Sequence, residues 1–248
     1  MMNNEWQSRT ELLIGEDGVK TLSAGNILIV GTGGVGAYSA ECICRAGIGK
    51  ITLVDGDTVS ETNINRQLPA THKTVGMCKT EVLKLHFKNI NPQLQINTIN
   101  KFLTAADIAE LLDSENFNYI IDAIDTLVPK VALCLGAITR NIPIISSMGA
   151  GGRIDPTKIQ VADISKTYND GLAAAFRQRL RKNGIYKNVK VVFSTETPNP
   201  DAVITTSGAN NQRSVRGTIS YLPAIFGCMI AGEVIRDLLK KQNAEDKA

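Results

Sequence analysis

The chain has 248 residues, of which 43% are hydrophobic and 21% are charged, and its formal net charge is +3. These values describe an ordinary globular protein with ample length for a sizeable core. The longest apolar run, 221–230, is too short to span a bilayer, so a membrane-spanning chain is excluded. The small positive charge permits an anionic partner but does not require one.

The pattern of the five cysteines argues against a structural zinc site and against a secreted protein. None of them forms a Cys-x-x-Cys pair, so the usual spacing of a structural zinc site is absent. Buried, reduced thiols are typical of a cytosolic protein. The first residues also lack the apolar core of a signal peptide, and we therefore expect a cytoplasmic location.

The first half of the chain alternates short apolar runs with helical patterns. Strands are predicted at 27–30, 50–55, 94–99, 118–124 and 142–147. Helices are predicted at 34–47, 76–89, 105–112 and 129–139. Alternation at this spacing predicts an α/β fold, namely a Rossmann-like, doubly wound, mostly parallel sheet with helices on both faces.

The pattern loosens after residue 149. Further elements are predicted as a turn and strand at 149–164, a basic helix at 166–182, a strand at 188–196 and a final helix from 221. The segment near 199–216 is rich in Pro, Gly, Asn, Ser and Thr, which predicts a mobile loop. We expect a single domain, 1–248, with a nucleotide-binding core at 1–150 and a substrate-facing second half at 151–248.

A glycine motif, GTGGVG at 31–36, lies between the first predicted strand and helix. Its glycines are Gly31, Gly33, Gly34 and Gly36. They allow a phosphate to approach the backbone, and the helix N-terminus supplies amide donors and positive potential. Asp55 ends the next strand, where a carboxylate can bind ribose hydroxyls. The motif therefore predicts nucleotide binding without identifying the nucleotide.

The polar residues after this motif favour ATP over NAD. Asp57, Asn63, Arg66 and Lys79 follow Asp55, and they include two cations and an amide. An NAD enzyme needs little beyond the ribose carboxylate, whereas cations suit a triphosphate that loses pyrophosphate.

A second carboxylate, Asp125, follows a predicted strand at its carboxyl end. Ligand-site carboxylates are commonly found at this place in open sheets. Asp125 could therefore hold Mg²⁺ through the phosphates.

Taken together, the runs GTGGVG, DGDTV, NINRQ, a lysine and DAID resemble the adenylating enzymes of the ubiquitin-activating (E1-like) superfamily, over roughly 6–150. The resemblance implies that Asp55 holds the ribose and that Asn63, Arg66 and Lys79 contact the phosphates. It further implies that Asp125 binds the metal. Arg9 matches an arginine that reaches into a partner subunit's site, which implies a homodimer with Arg9, Arg66, Lys79 and Asp125 as catalytic residues.

The second half resembles one branch of that superfamily, the tRNA threonylcarbamoyladenosine dehydratases. The runs that carry this resemblance are GAGGRIDPTKIQVAD, a basic helix and VVFSTE, within 146–198. It implies ATP-dependent dehydration of the modified adenosine at position 37 of certain tRNAs, through an acyl-adenylate. The carboxylate and the group that later attacks it belong to the same nucleoside, so no covalent protein nucleophile is needed. The lack of any cysteine between Cys134 and Cys228 agrees with this reaction.

Positive charges on the predicted basic helix suit an RNA partner. Arg177, Arg179, Arg181 and Lys182 lie within six residues, and no acidic residue interrupts them. Such a cluster can bind tRNA phosphates, although a merely solvated helix face gives the same pattern.

Three other functions stay open at this point. The first is an activator of the C-terminal glycine of a ubiquitin-like sulfur carrier, which would adenylate that carrier and bring a sulfur-carrier or sulfurtransferase partner. The others are an NAD-binding redox protein and a non-catalytic, nucleotide-dependent RNA-binding module. The missing cysteines weigh against the first, and the set of Arg66, Lys79 and Asp125 weighs against the other two.

Overall fold

A seven-stranded sheet forms the centre of the protein. The computed structural model describes residues 5–204 and 215–245. The strands of the sheet are β1 (Asn26–Val30), β2 (Lys50–Val54), β3 (Gln95–Ile99), β4 (Tyr119–Asp122), β5 (Ile144–Ser147), β6 (Ile159–Asp163) and β7 (Lys190–Ser194). Their order is β3-β2-β1-β4-β5-β7-β6, and all neighbours are parallel except β6, which runs antiparallel to β7.

Seven α-helices surround this sheet in the described residues. They are α1 (Ser8–Ser23), α2 (Gly36–Arg45), α3 (Lys79–Ile90), α4 (Ala105–Ser114), α5 (Leu127–Thr139), α6 (Gly171–Lys182) and α7 (Tyr221–Glu245). Gly15 has non-helical dihedral angles and divides α1 into two short helical pieces. Two short strands, β8 (Val203–Ile204) and β9 (Val215–Arg216), pair with each other outside the main sheet.

The strand sequences explain why helices cover both faces. In β1, Ile27 and Ile29 pack into one core with α1, α2, α3 and α7, whereas Leu28 and Val30 pack into a second core with α4, α5 and α6. Successive side chains of a strand point to opposite faces, so a continuous apolar strand must be covered twice. The α/β, doubly wound, mostly parallel fold predicted from the sequence is confirmed.

Two of the differences between predicted and observed boundaries concern the second half of the chain. The basic helix begins at Gly171 instead of 166, because the Asp170 side chain accepts a hydrogen bond from Ala173 N and caps it. Lys166 instead ends a short 3₁₀ turn, Ile164–Lys166. The mobile loop predicted near 199–216 holds β8 and β9 at its ends, and its centre, 205–214, lies outside the described residues.

Two edges of the sheet matter for function. The parallel strands β1, β2, β4 and β5 all end at one edge, which we call the carboxyl edge, and begin at the opposite one, the amino edge. The chain adds β2 and β3 on one side of β1 and then returns to place β4 on the other side. This reversal opens a crevice at the carboxyl edge between β1 and β4, where open α/β sheets bind ligands. No helix in the described part of the chain is long and apolar enough to cross a membrane.

Candidate nucleotide-binding site

The glycine motif forms the loop between β1 and α2 in this crevice. Gly31 has φ of +89°, and a Cβ atom there would lie 2.6 Å from the carbonyl oxygen of Ala123 in the turn after β4. A Cβ atom on Gly36 would collide with the carbonyl oxygen of Gly31. Both positions therefore require glycine, and the N-terminus of α2 opens at the carboxyl edge as a phosphate cradle. Gly33 and Gly34 lie between them in the same loop.

Asp55, directly after β2, ties that strand to the glycine loop. Its Oδ2 accepts hydrogen bonds from Thr32 N at 2.6 Å and from Thr32 Oγ1 at 2.9 Å. Its Oδ1 accepts one from Asp57 N at 2.9 Å. These bonds hold the carboxylate at the carboxyl edge beside the cradle, where it can accept bonds from a ribose. The sequence alone did not single out Thr32, although a hydroxyl inside the motif was visible there.

Lys79 and Asp57 form an ion pair next to this carboxylate. Lys79 opens α3, and its Nζ lies 2.8 Å from Asp57 Oδ2. The lysine side chain is only 5% exposed, whereas the aspartate side chain is 50% exposed. An anion could therefore bind the nearly buried ammonium of Lys79 in place of Asp57, because the half-exposed carboxylate of Asp57 can turn into solvent.

Arg66 and Asn63 lie in the segment between Asp57 and Lys79, beside the glycine loop. The carbonyl oxygen of Arg66 lies 3.5 Å from where a Cβ atom on Gly34 would be. Its Nη1 donates to the carbonyl oxygen of Thr62 and to Asn65 Oδ1, each at 2.8 Å. Burial lowers the pKa of this guanidinium. Asn63 is buried, and its Oδ1 accepts a hydrogen bond from Ser60 N at 3.2 Å.

Asp125 lies in the turn between β4 and α5, on the other side of the glycine loop. Its side chain is exposed, and the neighbouring residues Ala123 and Ile124 contact Gly31. The structure thus brings the glycine loop, Asp55, Asp57, Asn63, Arg66, Lys79 and Asp125 to one end of the sheet. Within the described ranges, no group of three or more His, Cys, Asp or Glu side chains could hold a metal by itself.

Arg9 does not lie in this site. It is exposed on α1, two residues after Gln7, whose side chain packs directly against Gly47 ahead of β2. Gly47 is at the amino edge, and the five residues of β2 separate it from Asp55 by about 16 Å. Arg9 is therefore at the edge opposite to the nucleotide site of its own chain.

The four cations of α6 fall into two groups. Arg177 is half-buried, and its Nη1 donates to the Thr167 carbonyl oxygen at 3.1 Å and also to Thr167 Oγ1. Arg179, Arg181 and Lys182 are exposed in the last turn. We call these three residues the basic end.

The basic end lies at the amino edge. The N-cap of α6 is at the carboxyl edge, since Gly149 N, two residues after the end of β5, donates to Asp170 Oδ2 at 3.0 Å. The helix then runs 12 residues, about 18 Å, back toward the start of β7. The basic end and the nucleotide crevice are therefore at opposite edges of the sheet.

Two buried cations were missed by the sequence reasoning. Lys130 is fully buried beneath Asp125 and lies 2.9 Å from Asp122 Oδ2. Arg153 is buried beside Asp170, at 3.3 Å, and donates to backbone carbonyl oxygens of Gly149, Glu196 and Asn169. Burial lowers the pKa of the Arg153 guanidinium. The available signal is a lone cation inside an apolar run, for Lys130, or inside a glycine-rich run, for Arg153.

Fold and site together define a doubly wound α/β protein with an adenylating type of nucleotide site. The sequence model of the ThiF family matches residues 7–248. The chain belongs to the ThiF family, so the resemblance found in the sequence is confirmed.

Individual relatives agree with this assignment. The tRNA threonylcarbamoyladenosine dehydratase of Bacillus subtilis is 40% identical, with 94% of each chain covered. A crystal structure of the Escherichia coli tRNA N6-threonylcarbamoyladenosine dehydratase in complex with ATP superposes with a TM-score of 0.87, at 34% identity and over 98% of this chain and 99% of that one. A more distant relative, the molybdopterin-synthase adenylyltransferase of E. coli, is 34% identical over only 62% of this chain and 59% of its own.

Proposed function

We propose that this protein is an ATP-dependent tRNA threonylcarbamoyladenosine dehydratase. One observation carries the proposal: the similarity to named dehydratases spans 94% of both chains, whereas the adenylyltransferase similarity stops at 62% of this one. At 94% coverage, the dehydratase similarity includes most of the second half of the chain. The second half also reaches the nucleotide site, because Asn65 Nδ2, beside Arg66, donates to the Thr218 carbonyl oxygen at 2.9 Å.

The reaction follows from the groups at the carboxyl edge. A carboxylate oxygen of the modified nucleoside attacks the α-phosphorus of ATP, the bond to the bridging oxygen breaks, and pyrophosphate leaves. A group of the same nucleoside then attacks the acyl carbon and loses a proton, the ring closes, and AMP leaves with the former carboxylate oxygen. The result is the loss of one water. Lys79 and Arg66 stabilise the charge that develops on the phosphates, and the glycine loop holds those phosphates.

Mg²⁺ fits the site as a companion of the nucleotide. Asp125 supplies one exposed carboxylate beside the glycine loop, and Mg²⁺ commonly takes one or two carboxylates together with substrate phosphates. Bound there, the ion would neutralise charge on the phosphates. We assign Asp125 as its protein ligand and Asp55 as the ribose acceptor.

A homodimer would complete the site. Arg9 is exposed and anchored at the amino edge, too far from the crevice of its own chain, so a role in catalysis requires a second subunit. Leu12 and Leu13, on the same helical piece, are 89% and 85% exposed. Such apolar exposure beside Arg9 suits burial against another copy of the chain.

The basic end is the proposed contact for tRNA phosphates. Arg179, Arg181 and Lys182 are exposed and close the last turn of α6, where cations are also favoured by the helix dipole. Arg177 instead anchors the helix to Thr167, so the proposed phosphate contacts, unlike those expected from the sequence, do not include it. A tRNA bound at the amino edge must extend around the subunit, or across a dimer, to bring its nucleoside to the crevice. Because the proposed substrate is tRNA, the proposed location of the protein is the cytoplasm.

The second candidate function is activation of a sulfur carrier, in which the same site would adenylate a C-terminal glycine. The adenylyltransferase similarity, which covers 62% of this chain, favours it. A sulfur-carrier or sulfurtransferase partner would belong to this alternative, or would act beside the dehydratase.

One experiment separates the two functions. The protein is incubated with ATP, Mg²⁺ and tRNA that carries N6-threonylcarbamoyladenosine, and the nucleosides are analysed by mass spectrometry. We expect the loss of one water from that nucleoside, together with one AMP formed per product. The parallel reaction contains a sulfur-carrier protein instead of tRNA. An unchanged nucleoside together with adenylated carrier would reject the dehydratase and favour the alternative.

A further inference from the structure

A fully buried ion pair lies directly beneath the turn that carries Asp125. Lys130 Nζ and Asp122 Oδ2 are 2.9 Å apart, and both side chains are completely inaccessible to solvent. Ser146 Oγ on the neighbouring strand β5 donates to the same carboxylate. The ring of Phe176 on α6 covers the ammonium group at 5.7 Å.

The two charged groups hold one residue of the turn from both sides. Asp122 Oδ1 accepts a hydrogen bond from Ile124 N at 3.1 Å. Lys130 Nζ donates to the carbonyl oxygen of Ile124 at 2.8 Å. The backbone of the residue immediately before Asp125 is thus fixed by charged partners at both its N–H and its C=O. The same turn presses against Gly31 of the phosphate cradle.

Stability alone does not account for this lysine. Removing two charges from water costs several kcal/mol per ion, and an apolar pair of similar volume is often at least as stable. Lys130 is also the fourth residue of α5, near a helix N-terminus, where the dipole disfavours a cation. An arrangement that is costly in both respects is better explained by the geometry that it imposes on the turn.

We propose that Lys130 is a positioning residue for the adenylation site: through the Ile124 carbonyl it sets the orientation of Asp125 toward the phosphates and Mg²⁺. The inference rests on the proposed function, because it takes Asp125 as the Mg²⁺ ligand. Lys130 itself does not touch the nucleotide, since its ammonium is enclosed by Asp122, Ile124 and Phe176.

Two variants separate positioning from folding. Lys130→Met leaves Asp122 buried without its cation, whereas Lys130→Met combined with Asp122→Asn removes both charges and so protects the fold. Hydrogen–deuterium exchange is followed in the nucleotide-free protein, and the Kd for ATP is measured by calorimetry with and without Mg²⁺.

In the double variant we expect faster exchange at 123–126. We also expect a Kd with Mg²⁺ that is raised about tenfold, because loss of an outer support typically costs a metal site 10- to 100-fold. The Kd without Mg²⁺ should be unchanged.

A matched control variant destabilises the same strand, β4, but leaves the Lys130–Asp122 pair intact. Tyr119, at the other end of β4, is buried and donates to Asp237 Oδ2 at 2.8 Å. Tyr119→Phe should lower the thermal midpoint without changing the Mg²⁺ dependence of ATP binding. Normal exchange at 123–126, or a normal Kd with Mg²⁺, in the double variant would overturn the positioning role.

Asp125→Asn separates failure of this inference from failure of the proposed site. If that variant weakens MgATP binding while the double variant binds normally, the proposed site stands and Lys130 has no positioning role. If Asp125→Asn binds MgATP normally, the proposed metal ligand is wrong, and the inference fails with it.

Discussion

The two edges of the sheet use their cations in different ways. At the carboxyl edge, Lys79 is nearly buried and Arg66 is half-buried, and both belong to the segment that lies beside the glycine cradle. At the amino edge, the basic end carries its charges in solvent on the last turn of a helix. Partly buried cations suit one small polyanion in a fixed geometry, whereas exposed cations on a helix end suit an extended polyanion held mainly by charge.

Other cations serve the protein itself. Arg153 and Arg177 occur in the same half of the chain as the basic end, yet both donate to neighbouring backbone carbonyl oxygens. Positive charge in this half therefore does not by itself indicate an RNA contact, since burial and hydrogen bonding decide which cations remain available.

The largest effect is expected from a substitution of Arg153. It tests the cations that bond to the protein itself. Arg153→Met leaves the buried carboxylate of Asp170 without its cation, and it removes the donors to Gly149, Asn169 and Glu196. Breaking a buried pair in this way costs about 3–5 kcal/mol in the free energy of unfolding, measured by urea denaturation. The matched exposed variant Arg181→Met should change it by less than about 0.5 kcal/mol. Similar values for both variants would erase the distinction between internal and available cations.

The next effect concerns the carboxyl edge. Lys79→Ala should lower the rate of ATP–pyrophosphate exchange by about 10²–10³-fold, because one preorganised charge contact in the transition state is lost. The fold should persist, since the abandoned partner, Asp57, is half exposed. Lys73→Ala removes an exposed lysine in the preceding segment and is expected to leave the rate unchanged. A wild-type rate for Lys79→Ala would mean that phosphates bind elsewhere.

The predictability of the two edges differs for a physical reason. The strands, the glycine loop and the polar residues that follow it are local in sequence, so periodicity and spacing were enough to place Asp55, Lys79 and Asp125 at one edge. The partners of Arg177 and Arg153 depend on packing between distant segments: the guanidinium of Arg153 reaches Glu196, 43 residues away. Helical spacing correctly put cations on α6, but it could not show that Thr167 holds the first of them. Lys130 was missed because a lysine inside an apolar helix is ordinarily assigned to the surface.

A third prediction tests whether Arg9 of one subunit acts in the nucleotide site of its partner. If it acts in the partner's site, Arg9→Ala and Lys79→Ala are each inactive alone, but a mixed dimer has one intact site. Random mixing should then restore about one quarter of wild-type activity, because half of the dimers are mixed and each has one working site of two. Subunit exchange is verified by native mass spectrometry of differently tagged chains. Mixed dimers without activity would show that Arg9 does not act across subunits.

The smallest effect is expected at the basic end, and it separates that surface from both other classes of cation. Arg181→Glu combined with Lys182→Glu should raise the KM for tRNA and flatten the dependence of tRNA affinity on salt. For each phosphate contact that is lost, binding releases fewer counterions. The slope of log K for tRNA against log salt concentration then becomes shallower by about 1. The Kd for ATP should stay the same, because the crevice lies at the opposite edge.

Arg177→Met is the matched control for this last variant. It removes a cation from the same helix and should lower the free energy of unfolding by about 1–3 kcal/mol through the lost bonds to Thr167. Its salt slope for tRNA should remain that of the wild type, since the guanidinium is already occupied by the protein. If instead Arg177→Met flattens the slope and the charge-reversal pair does not, the exposed basic end has no part in tRNA binding. The phosphate contacts would then lie beside Thr167 and Arg177, the latter in the middle of α6, and not on the last turn of that helix.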